Sequence, residues 1–163
     1  MTSIAELTQK MIAYSQGNLH DIAHFLKVWA YARTIGELEG LDGETQFILE
    51  AAALVHDIAC PLCREKYGNT NGKLQEKEGA VLAAEFLEDT DLTEAQIRRI
   101  SDLVGRHHTY TGVDGPDCRI LLEADYLVNA DESHEPPENI RRARDVIFRT
   151  RTGTALLNAI YGG

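Results

Sequence analysis

The chain has 163 residues, 44% of them hydrophobic and 26% charged, the proportions of an ordinary globular protein long enough for a real hydrophobic core. Sixteen Lys and Arg against 26 Asp and Glu give a net charge of −10, which argues against a nucleic-acid polymer or an anionic membrane as partner and still allows a small phosphorylated molecule held through a metal ion. No apolar run approaches about 18 residues, Met1 to Gln9 lacks the basic start and apolar core of a signal peptide, and three cysteines form no disulfide framework, so a cytoplasmic protein is expected.

In chain order, Thr2 or Ser3 caps a first helix to about Ser15 with Ile4, Leu7, Met11 and Ile12 as its apolar stripe, and Gly17-Asn18 breaks it. A second helix runs from about Asp21 to Glu39, with His24, Val28, Tyr31 and Ile35 on one face. Asp42-Gly43-Glu44-Thr45 opens a third, whose Phe47, Ile48, Ala51, Ala52, Leu54 and Val55 lead to His56-Asp57, and Cys60-Pro61 stops it. Residues 61–74 read as a long irregular stretch of the kind that carries function. A fourth helix is expected over about Gln75–Glu88 with Val81, Ala84 and Leu87 inward. A fifth follows over Glu94–His107 with Ile97, Ile100, Leu103 and Val104 inward, capped from Thr90-Asp91 or Thr93. Turn chemistry at Asp114-Gly115-Pro116-Asp117 precedes a sixth, Cys118–Asn129, where Asp125 shares a face with Leu121 and Val128. Helices at Glu138–Phe148 and Thr154–Tyr161 follow Pro136-Pro137 and Gly153. No stretch alternates with period two, so the fold class is all-α: a single domain over 1–163, with a motif-bearing core over about 21–129 and C-terminal helices over about 138–161.

Several polar residues stand where this pattern calls for apolar ones: His24, the adjacent His56 and Asp57, His107 and His108, and Asp125. Burying imidazoles beside carboxylates is costly without compensation, and a metal ion supplies it. Helical bundles build metal sites in this way, with inward side chains from facing helices. Nitrogen and carboxylate ligands without thiolates suit Fe, Mn, Zn, Co or Ni, whereas Mg and Ca prefer oxygen shells.

The order His … His-Asp … Asp resembles the HD-domain superfamily of metal-dependent phosphohydrolases from about Asp21 to Asn129. The local matches are His24-Phe-Leu-Lys-Val28, Ala52-Ala-Leu-Val-His56-Asp57-Ile58 and Glu123-Ala-Asp125-Tyr-Leu-Val. The run Lys66-Tyr67-Gly68 to Glu78-Gly79, then Val104-Gly-Arg-His107-His108-Thr109, is similar to a bacterial HD subfamily of metal-dependent phosphohydrolases. The resemblance implies an HD helical bundle in which His24, His56, Asp57 and Asp125 hold one divalent ion. A second ion is implied at Asp57, His107, His108 and Glu78, where Glu78 replaces a histidine frequent in relatives. It further implies hydrolysis of a nucleotide or other small phosphate ester by metal-activated water, with Asp57 orienting that water and Glu78 as an alternative base. Many relatives carry a Lys three residues after the motif Asp; here that position is Cys60, so Arg64, Lys66, Lys73 and Arg106 are the cations left to meet a substrate phosphate.

Two other functions are compatible with the pattern: a non-catalytic nucleotide-sensing module and a di-iron oxygenase. A homodimer is compatible too. His20-Asp21 repeats the dipeptide at a helix start and is set aside as an end-of-helix charge. Cys60 and Cys63 lack a second pair for a zinc site and read as shielded thiols. Trp29 reads as core and His134 as inert, while Tyr31 is core or cleft lining.

Overall fold

Propensity and capping divide the described residues, 1–162 of the computed structural model, into nine α-helices with no strand among them. They are α1 (Ile4–Tyr14), α2 (Leu19–Leu38), α3 (Gly43–Val55), α4 (Cys60–Tyr67), α5 (Gly72–Leu87), α6 (Glu94–Val104), α7 (Pro116–Glu132), α8 (Pro137–Val146) and α9 (Arg151–Tyr161). Side-chain oxygens of Ser3, Asn18, Asp42, Asn71, Thr93 and Thr150 accept from backbone N–H groups of the first turns they precede. At α6 the bond is reciprocated by Gln96, a capping box.

Past its first turn, α3 has no exposed face. Every residue from Ile48 to Val55 is buried, and a helix apolar all round must be enclosed. α1, α2, α6 and α7 enclose it. Glu50 is the one charged residue in this run, and its carboxylate accepts from the Trp29 indole at 2.9 Å and the Gln46 amide at 2.8 Å. The stretch Gly43–Tyr67 is long and apolar enough to cross a membrane, which the expectation of no such run did not anticipate. Yet 67% of its most apolar window is buried by the other helices, and the turn at residues 56–59 interrupts it.

The largest departure from expectation lies in residues 61–74. Cys60-Pro61 opens a helix instead of closing one: Pro61 sits in the first turn of α4, where its missing N–H costs nothing. Gly68, at φ +74°, then ends α4 in the left-handed region, its N–H bonded to the Arg64 carbonyl. The irregular connection shrinks to residues 68–71. Two smaller corrections concern rotation about helix axes: Ile12, 39% exposed, lies one residue past buried Met11, and Val81, 59% exposed, lies opposite the face of α5 that buries Gly79, Ala83 and Phe86.

α9 docks through a buried carboxylate. Glu123 of α7 accepts from the Arg149 N–H at 2.8 Å, the Thr150 N–H at 3.0 Å and the Thr150 hydroxyl at 2.5 Å, so it satisfies donors at the start of α9. Gly153 lies so close that an added Cβ would collide with the Glu123 carboxylate oxygen. In an open helix Gly→Ala stabilises by about 1 kcal/mol. Here the sign reverses, because the obstructing carboxylate is fixed by three hydrogen bonds, one on the oxygen in the way and two on the other. Gly153→Ala is therefore expected to destabilise the protein by about 1–3 kcal/mol, read as a fall in the urea unfolding midpoint.

Candidate metal centre

Helix ends build this site. The last carbonyls of a helix lack intrahelical partners, and an imidazole three residues on can donate to one. His56, just past α3, has Nδ1 2.7 Å from the Ala53 carbonyl oxygen. His107, just past α6, repeats the arrangement with Nδ1 2.6 Å from the Val104 carbonyl oxygen. His24 of α2 has Nδ1 2.8 Å from the Glu132 carboxylate at the end of α7. Each bond takes up the Nδ1 proton and turns the Nε2 lone pair inward.

The inward atoms crowd together. His24 and His56 bring their Nε2 atoms to 3.1 Å. Asp57 Oδ2 lies 3.1 Å from the first and 3.5 Å from the second, and Asp125 Oδ1 lies 3.2 Å from both. Asp125 is buried, and this oxygen has no hydrogen-bond partner. On the other side of Asp57, its Oδ1 is 3.3 Å from His107 Nε2. Asp57, His107 and His108 form a second cluster of ligand-capable atoms beside that of His24, His56 and Asp57, so Asp57 belongs to both. The His107 and His108 rings lie 4.0 Å apart, tilted by 47°.

These residues fit divalent metal ions. Ligand atoms adjacent around an ion with bonds of about 2.0–2.2 Å stand roughly 3.0–3.5 Å apart, as the measured pairs do. A buried carboxylate oxygen without a donor is otherwise rare. The protonation of the centre shows the same need for positive charge. Burial alone would lower the His24 pKa, but the adjacent carboxylates of Asp125 and Asp57 overcome it and raise the value to about 11. His56 is likewise lowered by burial and raised overall by Asp57 and Asp125. Burial disfavours both carboxylates, and the histidines nonetheless hold them far below the usual range. His108 goes the other way: burial, then the neighbouring His107, lower it to about 4, so its ring stays neutral and able to ligate.

A cavity of about 160 Å³ opens onto the cluster, lined by His24, Asp57, His108 and Asp125 together with His20, Asp21, Cys60, Arg64, Thr70, Gln75, Asn129 and Glu132. The fold thus brings together six of the residues singled out in the sequence: His24, His56, Asp57, His107, His108 and Asp125. Glu78 is not among them. Its carboxylate accepts from the Tyr67 hydroxyl at 2.8 Å and from Lys66 at 3.1 Å; these contacts lower its pKa and make it a poor base.

The four expected cations are also engaged. Arg64, at the cavity wall, makes a two-point bond to Asp21 at 2.7 and 2.8 Å, and Lys66 is on Glu78. Lys73 lies 3.3 Å from Glu76. Arg106 lies outside the cavity lining and bonds Asp102 at 2.8 Å and Asp114 at 2.9 Å.

Four participants escaped the sequence reading. Gln75, expected only as a helix start, places Oε1 3.3 Å from His107 Nε2 and 3.1 Å from His108 Nε2. Asn129 and Glu132 follow Asp125 by four and seven residues, so the helical period alone would have put them on its face. Asp21, three residues before His24, was visible on the same grounds.

A family model described as HD domain matches residues 19–130. Among solved structures, the crystal structure of a predicted HD superfamily hydrolase from an uncultured Thermotogales bacterium is similar, with a TM-score of 0.71 and 22% identity. The match covers 96% of this chain and 84% of that one. No curated protein matches.

Two outcomes test the centre. Removing the carboxylate behind His24, as in Glu132→Ala, is expected to weaken metal binding about 10–100-fold, measured by competition with a chromogenic chelator. In chelator-treated protein, the raised His24 pKa adds stability that is complete below the unfolded value of 6.5 and disappears as pH rises toward about 11. Urea midpoints of ion-free protein should therefore fall above pH 6.5, while those of metal-loaded protein, in which the ion replaces the proton, should not.

Proposed function

The chain belongs to the HD-domain family, and from that premise we propose that it is a metal-dependent phosphohydrolase acting on a nucleotide or another small phosphate ester. The observation that carries the reading is the pair of ligand clusters joined at Asp57 on one wall of a small cavity. A related fold described as a predicted HD superfamily hydrolase supports the same class of reaction.

His24, His56, Asp57 and Asp125 would hold one divalent ion, and Asp57, His107 and His108 would hold part of a second. Bound there, such ions lower the pKa of a coordinated water and polarise a phosphoryl oxygen. The chain's own residues do the rest. Glu132, Ala53 and Val104 fix the imidazole tautomers through Nδ1, so the lone pairs are preorganised before substrate arrives. Asp57 is ionised throughout the physiological range; it therefore accepts a hydrogen bond and orients the attacking water instead of storing a proton. The cavity's about 160 Å³ admits a phosphoryl group and leaves the remainder of the ester outside. The turn at 56–59, α4 and the connection at 68–71 contribute to its lining, through Asp57, Cys60, Arg64 and Thr70.

Elemental analysis of protein purified without chelator, followed by a phosphate-release screen over nucleotides and small phosphate esters, tests the proposal. Transition metal at one to two equivalents and phosphate release are expected, both lost together in Asp57→Ala. Metal with oxygen uptake and no phosphate release would replace this reading with oxygenase chemistry. Nucleotide binding without turnover would replace it with a sensing module.

A further inference from the structure

We infer that the two ion positions are unequal, and that Gln75 makes the second one depend on an anion supplied by the substrate. This rests on the metal-centred reading above and concerns residues that reading leaves unassigned.

Gln75 is 6% exposed. Its amide nitrogen donates to the Thr70 carbonyl at 2.5 Å, which fixes the orientation of the amide and turns Oε1 toward His107 and His108 at 3.3 and 3.1 Å. With His107 Nδ1 committed to the Val104 carbonyl, it is Nε2 that faces both Gln75 Oε1 and Asp57 Oδ1, each at 3.3 Å. Gln75 Oε1, the Nε2 atoms of His107 and His108 and Asp57 Oδ1 thus converge on one position, a set of ligand atoms that a cation would hold together.

Charge separates the two positions. The first has two carboxylates, Asp57 and Asp125, against a divalent ion. The second has only the other oxygen of Asp57, with His107, His108 and the neutral amide of Gln75 completing the donors. The neighbouring carboxylate of Glu76 is turned away: it accepts from the His108 N–H at 3.0 Å, the Thr109 hydroxyl at 2.7 Å and Lys73 at 3.3 Å. An ion in the second position therefore keeps an excess of positive charge in a buried setting, which is unfavourable until an anion joins it. The substrate has the complementary deficit. Arg64, Lys66, Lys73 and Arg106 are all bonded to carboxylates, so the phosphoryl charge finds its counter-charge in that ion. Binding of each then favours the other by the same factor.

The test is titration of chelator-stripped protein with Mn²⁺, counting free ion by electron paramagnetic resonance, with and without inorganic phosphate. Wild type is expected to bind one ion tightly without phosphate and a second that phosphate tightens about 10-fold or more, within the usual span of coupled sites. Gln75→Glu adds the missing charge and should tighten the second ion in the absence of phosphate, reducing the phosphate effect toward none. Gln75→Met, of similar volume and without the oxygen, should weaken the second ion about 10-fold or more in both conditions while the first is retained, which keeps the test decisive should the Glu variant fail to fold. Two ions binding alike with or without phosphate, or a phosphate effect unchanged in both variants, would overturn the inference and leave the phosphohydrolase reading standing. No ion bound in any condition would overturn both.

Discussion

Like poles facing one another dominate this protein. Two imidazole Nε2 atoms meet at 3.1 Å with carboxylate oxygens on either side, at the wall of a small cavity in the bundle. In the low-dielectric interior such an arrangement persists only around positive charge, whether protons or metal ions. The surrounding helices are placed so that this cost is borne at one spot, while α3, apolar on every side, supplies the burial that holds them there.

Aiming the ligands relies on a repeated economy of backbone. The same imidazole-to-carbonyl bond, three residues back, closes α3 and α6. Helix termini leave acceptors free in any case, so orienting His56 and His107 requires no extra side chains. His24, in the first turns of α2, has no such carbonyl available, and a carboxylate from α7 does the work instead. Because α2 and α7 each pack along α3, the His24–Glu132 contact ties the two long flanking helices at the point where the chemistry is to occur.

The fold was legible in the sequence where apolar spacing is strong and uninterrupted. α2, α3 and α7 emerge within a few residues of their bounds because each buries a continuous face. Residues 60–67 were not legible as a helix, since Pro61 and the charged run Arg64-Glu65-Lys66 hide a single buried turn at Cys60 and Cys63. The cluster of His24, His56, Asp57, His107, His108 and Asp125 could be gathered from the sequence because polar residues on apolar faces stand out. Gln75 could not be gathered that way: an amide beside Glu76 and Lys77 looks like any solvated residue. Glu78 failed for the opposite reason, since nothing in its spacing discloses that Tyr67 and Lys66 turn its carboxylate away. Pairing partners from distant helices decide these cases, and a linear pattern does not record them.

The absence of a side chain matters as much here as the ligands do. Gly72 opens α5 so close to His108 that a Cβ would stand 2.9 Å from the imidazole Cγ, well inside contact distance. The ring sits where it does because nothing is attached to residue 72. A sequence that keeps the histidine pair but places any larger residue opposite would preserve every letter of the motif and displace its geometry. Judging whether another chain has inherited this centre therefore requires reading a blank space along with the six visible signs.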